Sequence, residues 1–252
     1  MLPCMSLPGR LVALMVACIL IQGILFQNNA WHSHTTAEES SSLDATLKGA
    51  THIHSFPAVQ VTIYVEALCI DSKRYFNEQL VPTYDQLGSQ IMDLKVVVFD
   101  NALIDIANKT LQCQHGEAEC DANSYDQCAV DIYPYPDRYL PYLACLFNSL
   151  PMGRQSEPFS KAVFASCARH AALDANTLQQ CRDDPERVWE LQKQAAAMNP
   201  SELNHVPWVE LNGEYMDLDQ DLLASVCQLY TESGGSHPAC GSHTEVVSVR
   251  VA

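Results

Sequence analysis

Basic residues are scarce in this sequence: 14 Lys and Arg stand against 30 Asp and Glu, for a formal net charge of −16. A surface this acidic repels phosphate backbones, which excludes nucleic acid as a partner. No internal repeat and no heptad run is present, which excludes solenoids and coiled coils. A long apolar run is missing too. The stretch "LVALMVACILIQGILF" after Arg10 holds 16 residues, short of the roughly 20 needed to cross a bilayer as a helix.

What that stretch does fit is a secretory signal peptide, expected over residues 1–30. Asn28 and Ala30 match the small-residue cleavage pattern only in part, and the same signals leave a retained membrane anchor as the alternative. With the leader removed, no membrane span is expected. Residues 31–56 are rich in Ser, Thr, His and Glu with few large apolar side chains, the composition of a disordered lead-in. The fold is expected to begin near Pro57. A chain of 252 residues suits one well-buried domain.

Cysteine is abundant. Of 11 cysteines, Cys4 and Cys18 lie in the leader, leaving Cys69, Cys113, Cys120, Cys128, Cys145, Cys167, Cys181, Cys227 and Cys240. A secreted chain pairs its cysteines, and an odd count leaves one over. Cys69 is the odd one, because it alone sits in the first apolar segment while the other eight lie between Leu111 and the C-terminus. The expectation is four disulfides among those eight. Cys227 to Cys240 is the favoured pair, since it would tether the tail at residues 231–252 to the last helix; Cys167 to Cys181 is a second guess. The sequon "NKT" at Asn108 fits a glycosylated surface segment in the secretory pathway.

Along the chain, "VQVTIYVEAL" alternates Val59, Val61, Ile63 and Val65 with more polar neighbours and reads as a strand. Phe76, Leu80, Tyr84 and Leu87 then fall on one helical face, with Pro82 expected to kink it. "LKVVVFDNAL" is a second strand, rich in β-branched residues. This β-α-β start puts Cys69 where a strand runs into a helix, and the backbone N–H groups there favour a thiolate. From about 111 to 204 the pattern changes to a cysteine-rich loop, "CQHGEAECDANSYDQC", followed by helices at "DRYLPYLACLFNSL", "EPFSKAVFASCARHAAL", "DANTLQQC" and "DDPERVWELQKQAAAM". The last has Asp184 as N-cap and Pro185 as first helical residue. Strand signal returns in "HVPWVELNGEYM", where Asn212-Gly213 is the preferred pair for a tight hairpin. "DQDLLASVCQLY" closes the domain as an amphipathic helix.

Several of these motifs together resemble the gamma-interferon-inducible lysosomal thiol reductase family, a branch of the thioredoxin-like fold. The signature is carried by Cys113, Gln114, His115, Gly116, Glu119, Cys120, Asn123 and Cys128, with "VPWVELNG", "LLASVCQLY" and the spaced Cys145, Cys167 and Cys181 in support. The likeness runs from Val59 to Cys240. It implies an α/β, thioredoxin-like domain over residues 57–230, carrying a disulfide-rich helical insertion at about 111–204. It also implies reduction of protein disulfides in acidic compartments by a Cys-x-x-Cys at the start of the first helix. A cis-proline opposite that site, the Val206-Pro207 bond, would leave the Val206 backbone free to pair with an extended substrate.

The motif here reads "CIDS", with Ser72 in place of the second thiol. Cys69 can still attack a disulfide and the Ser72 hydroxyl can hydrogen-bond its thiolate, but Ser72 cannot resolve the mixed disulfide. Three readings stand. One is a monothiol oxidoreductase, secreted or lysosomal, acting on disulfide-containing proteins and resolved by an external small thiol. Another is a non-catalytic relative that retains clients through Cys69 mixed disulfides. The third is a disulfide-stapled interaction module. No cofactor is expected, and no metal: Cys113, His115, Cys120 and Cys128 are types that bind zinc, but six- and seven-residue gaps are not zinc-ribbon spacing. His115 is weighed as a proton donor against a locally hydrogen-bonded loop residue, and Lys73 and Arg74 as thiolate neighbours against a solvated helix face. Trp208 is assigned to core packing.

Overall fold

The computed structural model describes residues 56–99 and 102–241. The expected signal peptide, most of the lead-in and the last 11 residues of the tail lie outside the described residues. Strand β1 (Val59–Val65) buries Val59, Val61, Ile63 and Val65. It runs into helix α1 (Ile70–Tyr75), a π-helical turn (Phe76–Leu80) and helix α2 (Val81–Ile91). The turn is π-helical because Val81 N–H reaches back to the Phe76 carbonyl, while the next residue, Pro82, has no N–H to continue an α-helical ladder. Gly88, at φ 63° and ψ −178°, leaves the helical conformation near the end of α2, a backbone state that glycine adopts without steric cost. Strand β2 (Met92–Val98) then pairs parallel to β1, Val59 opposite Met92 and Val65 opposite Val98.

A short antiparallel hairpin follows, β3 (Leu103–Asp105) and β4 (Thr110–Gln112), with Leu103 opposite Gln112 and Ile104 opposite Leu111. Asp105 organises its turn by accepting the N–H groups of Ala107 and Asn108. The sequon asparagine, Asn108, is exposed there.

Five helices come next: α3 (Glu117–Ile132), α4 (Pro136–Ser149), α5 (Lys161–His170), α6 (Ala175–Asp183) and α7 (Pro185–Met198). Asp174 and Asp184 cap the last two, each accepting two backbone N–H groups. The expected loop "CQHGEAECDANSYDQC" is corrected here, because all of it from Glu117 onward is α3. Its apolar stripe is weak because the helix is buried on faces carrying Glu119, Asn123, Ser124, Asp126 and Gln127. Those polar groups serve the sheet. Asn123 Oδ1 accepts Ala67 N–H at 2.9 Å, and Gln127 Nε2 donates to the Val98 carbonyl at 2.6 Å, so α3 satisfies backbone groups just after β1 and at the end of β2.

Asp126 on α3 is wholly buried, and burial pushes its carboxyl well above the ordinary range. The folded chain therefore holds a proton that the unfolded chain releases. Its contribution to stability is complete below the pKa of an unfolded-chain aspartate and is lost as pH rises through the elevated folded value. Asp126→Asn keeps the neutral shape at every pH. Its melting temperature relative to the parent should climb from about pH 4.5 to about pH 7.5, and a difference that stays constant across that range would refute the assignment.

Strand β5 (Trp208–Leu211) pairs antiparallel to the free side of β1, and β6 (Glu214–Tyr215) folds back on it, giving the order β2-β1-β5-β6. The strands read from "VQVTIYVEAL" and "HVPWVELNGEYM" lie in one sheet, Ile63 opposite Val209. Asn212 (φ 51°) and Gly213 (φ 84°) form the hairpin turn, the left-handed pair that a type I′ turn needs. Helix α8 (Leu222–Glu232) and the short α9 (Pro238–Gly241) complete the fold.

Four disulfides join Cys113 to Cys120, Cys128 to Cys181, Cys145 to Cys167 and Cys227 to Cys240. The expected Cys167–Cys181 pair does not form. Cys167 faces Cys145 across the α4–α5 contact, and Cys181 on α6 faces Cys128 on α3. Among the described residues no helix is long and apolar enough to cross a membrane.

Candidate active site

Cys69 is the one free cysteine among the described residues, and it is partly exposed. It occupies the N-cap of α1 in an extended conformation (φ −78°, ψ 124°). The sulfur accepts Ser72 N–H at 3.4 Å, and the thiol faces the Val206 carbonyl oxygen at 3.7 Å. The Val206-Pro207 peptide bond is cis. Two further backbone bonds hold the segment: Cys69 N–H donates to the Glu66 carbonyl at 3.3 Å, and Gly153 N–H donates to the Leu68 carbonyl at 2.8 Å. Below the thiol lies an apolar cluster of Tyr64, Val97, Phe99, Ala195, Val206 and Trp208, with Cys69, Ile104 and Leu111 packed on its rim. Trp208 thus belongs to the core, its indole N–H donating to Glu210 Oε1 at 3.2 Å.

Ser72 stands in the first turn of α1, fully buried, but its hydroxyl does not reach Cys69 as expected. The side chain turns inward and Oγ accepts Glu66 N–H at 3.4 Å, leaving the backbone N–H of Ser72 to face the sulfur. The division is a matter of direction. At an N-cap the cap side chain meets the N–H of the residue three on, so residue 72 offers its backbone to Cys69 and keeps its side chain for the strand end. Arg74 pairs with Asp71 on an exposed helix face, so the solvated reading holds for that residue.

His115 is neither a zinc ligand of the cysteines nor a free loop histidine. Its ring Nδ1 lies 2.5 Å from Glu119 Oε2 and 3.7 Å from Glu66 Oε2, and its backbone N–H donates to Glu119 Oε1 at 2.9 Å. Both glutamates are fully buried, and the three possible ligand atoms fall within 4.8 Å of one another. The cluster ties the Cys113–Gly116 loop and the first turn of α3 to Glu66, whose backbone N–H holds Ser72. Glu66 was not singled out by sequence reasoning. An acid two residues into a strand-to-helix junction reads as surface, and only its burial marks it otherwise. Of the other expected residues, Val206 and Pro207 lie beside Cys69, while Asn108 sits in the β3–β4 turn and the eight paired cysteines hold the helices.

A β-α-β unit completed by an antiparallel strand, a lone thiol capping the first helix and a cis-proline peptide facing it define the class as thioredoxin-like. Residues 60–171 match the family described as gamma interferon inducible lysosomal thiol reductase. It is 27% identical over 235 residues to the gamma-interferon-inducible lysosomal thiol reductase of Carassius auratus, covering 89% of this chain and 87% of that one. To the mouse (Mus musculus) protein of the same name it is 26% identical over 189 residues, covering 74% of each. In fold it resembles the reduced form of a disulfide bond oxidoreductase (DsbG) from Mycobacterium tuberculosis, with a TM-score of 0.57 at 18% identity over 77% of this chain and 86% of that one.

Proposed function

We propose that this chain is a thiol–disulfide oxidoreductase that acts on protein disulfides as a monothiol through Cys69, in the lysosome or another compartment of the secretory pathway. One observation carries the reading: a single unpaired, partly exposed thiol caps a helix and faces the Val206 carbonyl, in a chain whose other eight described cysteines are all paired. The signal-like leader and the sequon support the compartment.

The Cys69 thiolate attacks one sulfur of a substrate disulfide, forming a Cys69 mixed disulfide and expelling the second substrate sulfur as a thiolate, which takes a proton from solvent. An external small thiolate then attacks the Cys69 sulfur and releases the first substrate sulfur. A second small thiolate frees Cys69 and leaves as the oxidised small-molecule disulfide. Two electrons pass from two small thiols to one substrate disulfide. The Ser72 N–H donates to the Cys69 sulfur at the start and at the end. The Val206 carbonyl, released from the thiol once it ionises, can accept a backbone N–H of the extended substrate.

Incubation with a disulfide-bonded peptide, followed by acid quench and intact-mass measurement without reductant, should show one adduct per chain, located on Cys69. Cys69→Ser should show none. Equal capture by Cys69→Ser would overturn the proposal.

A further inference from the structure

A groove of about 410 Å³ is lined by Leu103, Gln112, Cys113, Gln114, Arg154 and Asn204. Both of its walls are pinned to the nucleophile. Arg154 follows Gly153, whose N–H bonds the carbonyl of Leu68, the residue before Cys69. Asn204 stands two residues before Val206, whose carbonyl faces the sulfur. The floor is the Leu103–Gln112 rung of the β3–β4 hairpin, next to the Ile104–Leu111 rung that packs with Cys69 on the same apolar cluster.

The chain carries 30 acidic residues against 14 basic ones, and several of its described cations meet an acid. Arg74, Arg182 and Arg187 pair with Asp71, Asp121 and Asp131. Arg154 is exposed and forms no ion pair among the described residues; its Nη2 donates only to the Gln114 carbonyl, at 3.0 Å. Among the described residues no acidic side chain lines the groove, and its other polar side chains are the amides of Gln112, Gln114 and Asn204. A guanidinium with donors to spare, flanked by amides, suits a carboxylate, and the volume is that of a small-ligand site.

We infer that this groove binds the resolving co-substrate, a small thiol carrying a carboxylate. Arg154 holds the carboxylate and directs the sulfur at the Cys69 mixed disulfide. The inference rests on the monothiol reading and names its missing partner. It requires no new reactant: the thiolate attacks the Cys69 sulfur, a new sulfur–sulfur bond forms there, and the substrate thiolate departs.

The test starts from a purified mixed disulfide between Cys69 and a neutral peptide. Release is timed with 3-mercaptopropionate, 2-mercaptoethanol and cysteamine, each rate divided by that of the same thiol on the Arg154→Gln protein, so that intrinsic nucleophilicity cancels. The carboxylate thiol should lead the neutral one by about fivefold, the value of an exposed ion pair at its upper end. Arg154→Glu should reverse the order in favour of cysteamine. Identical selectivity in the parent and both variants would overturn the inference. A second arm compares capture of disulfide peptides with Asp or Lys beside the cysteine. Charge dependence confined to that arm would assign the groove to an acidic substrate segment and also overturn the inference. Should Cys69 capture nothing at all, the monothiol reading fails by itself. The groove is then judged on the Cys69→Ser protein, where 3-(methylthio)propionate should shift the Arg154 side-chain resonance in NMR spectra, and no shift would count against it.

Discussion

Ser72→Cys should shorten the lifetime of the Cys69 mixed disulfide by orders of magnitude and raise reductase turnover, while Cys69→Ser abolishes both capture and turnover. The reason is kinetic. A resolving thiol inside the same turn of helix acts at an effective concentration that reaches about 10⁵ M in well-oriented intramolecular reactions, and a free thiol at about millimolar concentration falls far short of that even if the geometry is imperfect. Residue 72 is suitably placed, its backbone N–H being 3.4 Å from the Cys69 sulfur. Its side chain points inward, so a cysteine there would be buried until the mixed disulfide forms. The substitution also removes the acceptor of Glu66 N–H, at a cost of about 1 kcal/mol for an ordinary hydrogen bond. That cost would appear in melting temperature and not in exchange rate. Quenched-flow trapping of the adduct separates the two. An unchanged adduct lifetime in Ser72→Cys, with both thiols counted by alkylation, would show that the absent second thiol does not limit turnover.

The largest effect on stability should follow removal of the Cys128–Cys181 bond, which closes 53 residues and joins α3 to α6. Chain-entropy reasoning gives about 4 kcal/mol for a loop of that length, a large share of the roughly 5–15 kcal/mol that holds a domain folded. The Cys113–Cys120 bond spans 7 residues, and the same reasoning gives about 2 kcal/mol. Denaturant titration of the two double-alanine variants, without reductant, should rank them in that order. If the short bond proves the costlier, its worth lies in holding the Cys113–Gly116 loop against α3 and not in loop closure.

The parts of the fold that could be read in advance are those where one residue has one local job. Alternating Val59, Val61, Ile63 and Val65 mark a strand, Asp184 and Pro185 mark a helix start, and Asn212-Gly213 marks a hairpin. Each is decided within a few residues of chain. Helix α3 was missed because its buried positions carry Glu119, Asn123, Asp126 and Gln127, which periodicity scores as surface. Their partners, Ala67, Val98 and His115, come from other elements. The same holds at the site. Cys69 was evident from odd cysteine arithmetic, whereas Glu66 joins it only through a contact with His115 and a backbone bond to Ser72. Disulfide partners were legible only where a tail needed an anchor. Cys167 and Cys181 lie close in sequence, yet they sit on helices that each face a different neighbour.

The π-helical turn at Phe76–Leu80 makes the aim of the thiol a matter of counting. An α-helix advances about 100° per residue, and this turn holds one residue more than an α-helical turn would. A single-residue deletion there would remove the extra residue and rotate everything ahead of the deletion by about that angle. Tyr75, which is buried, would swing outward and Cys69 would leave the Val206 carbonyl, although no atom of the site had been altered. In descent, then, this segment can drift in composition far more freely than in length.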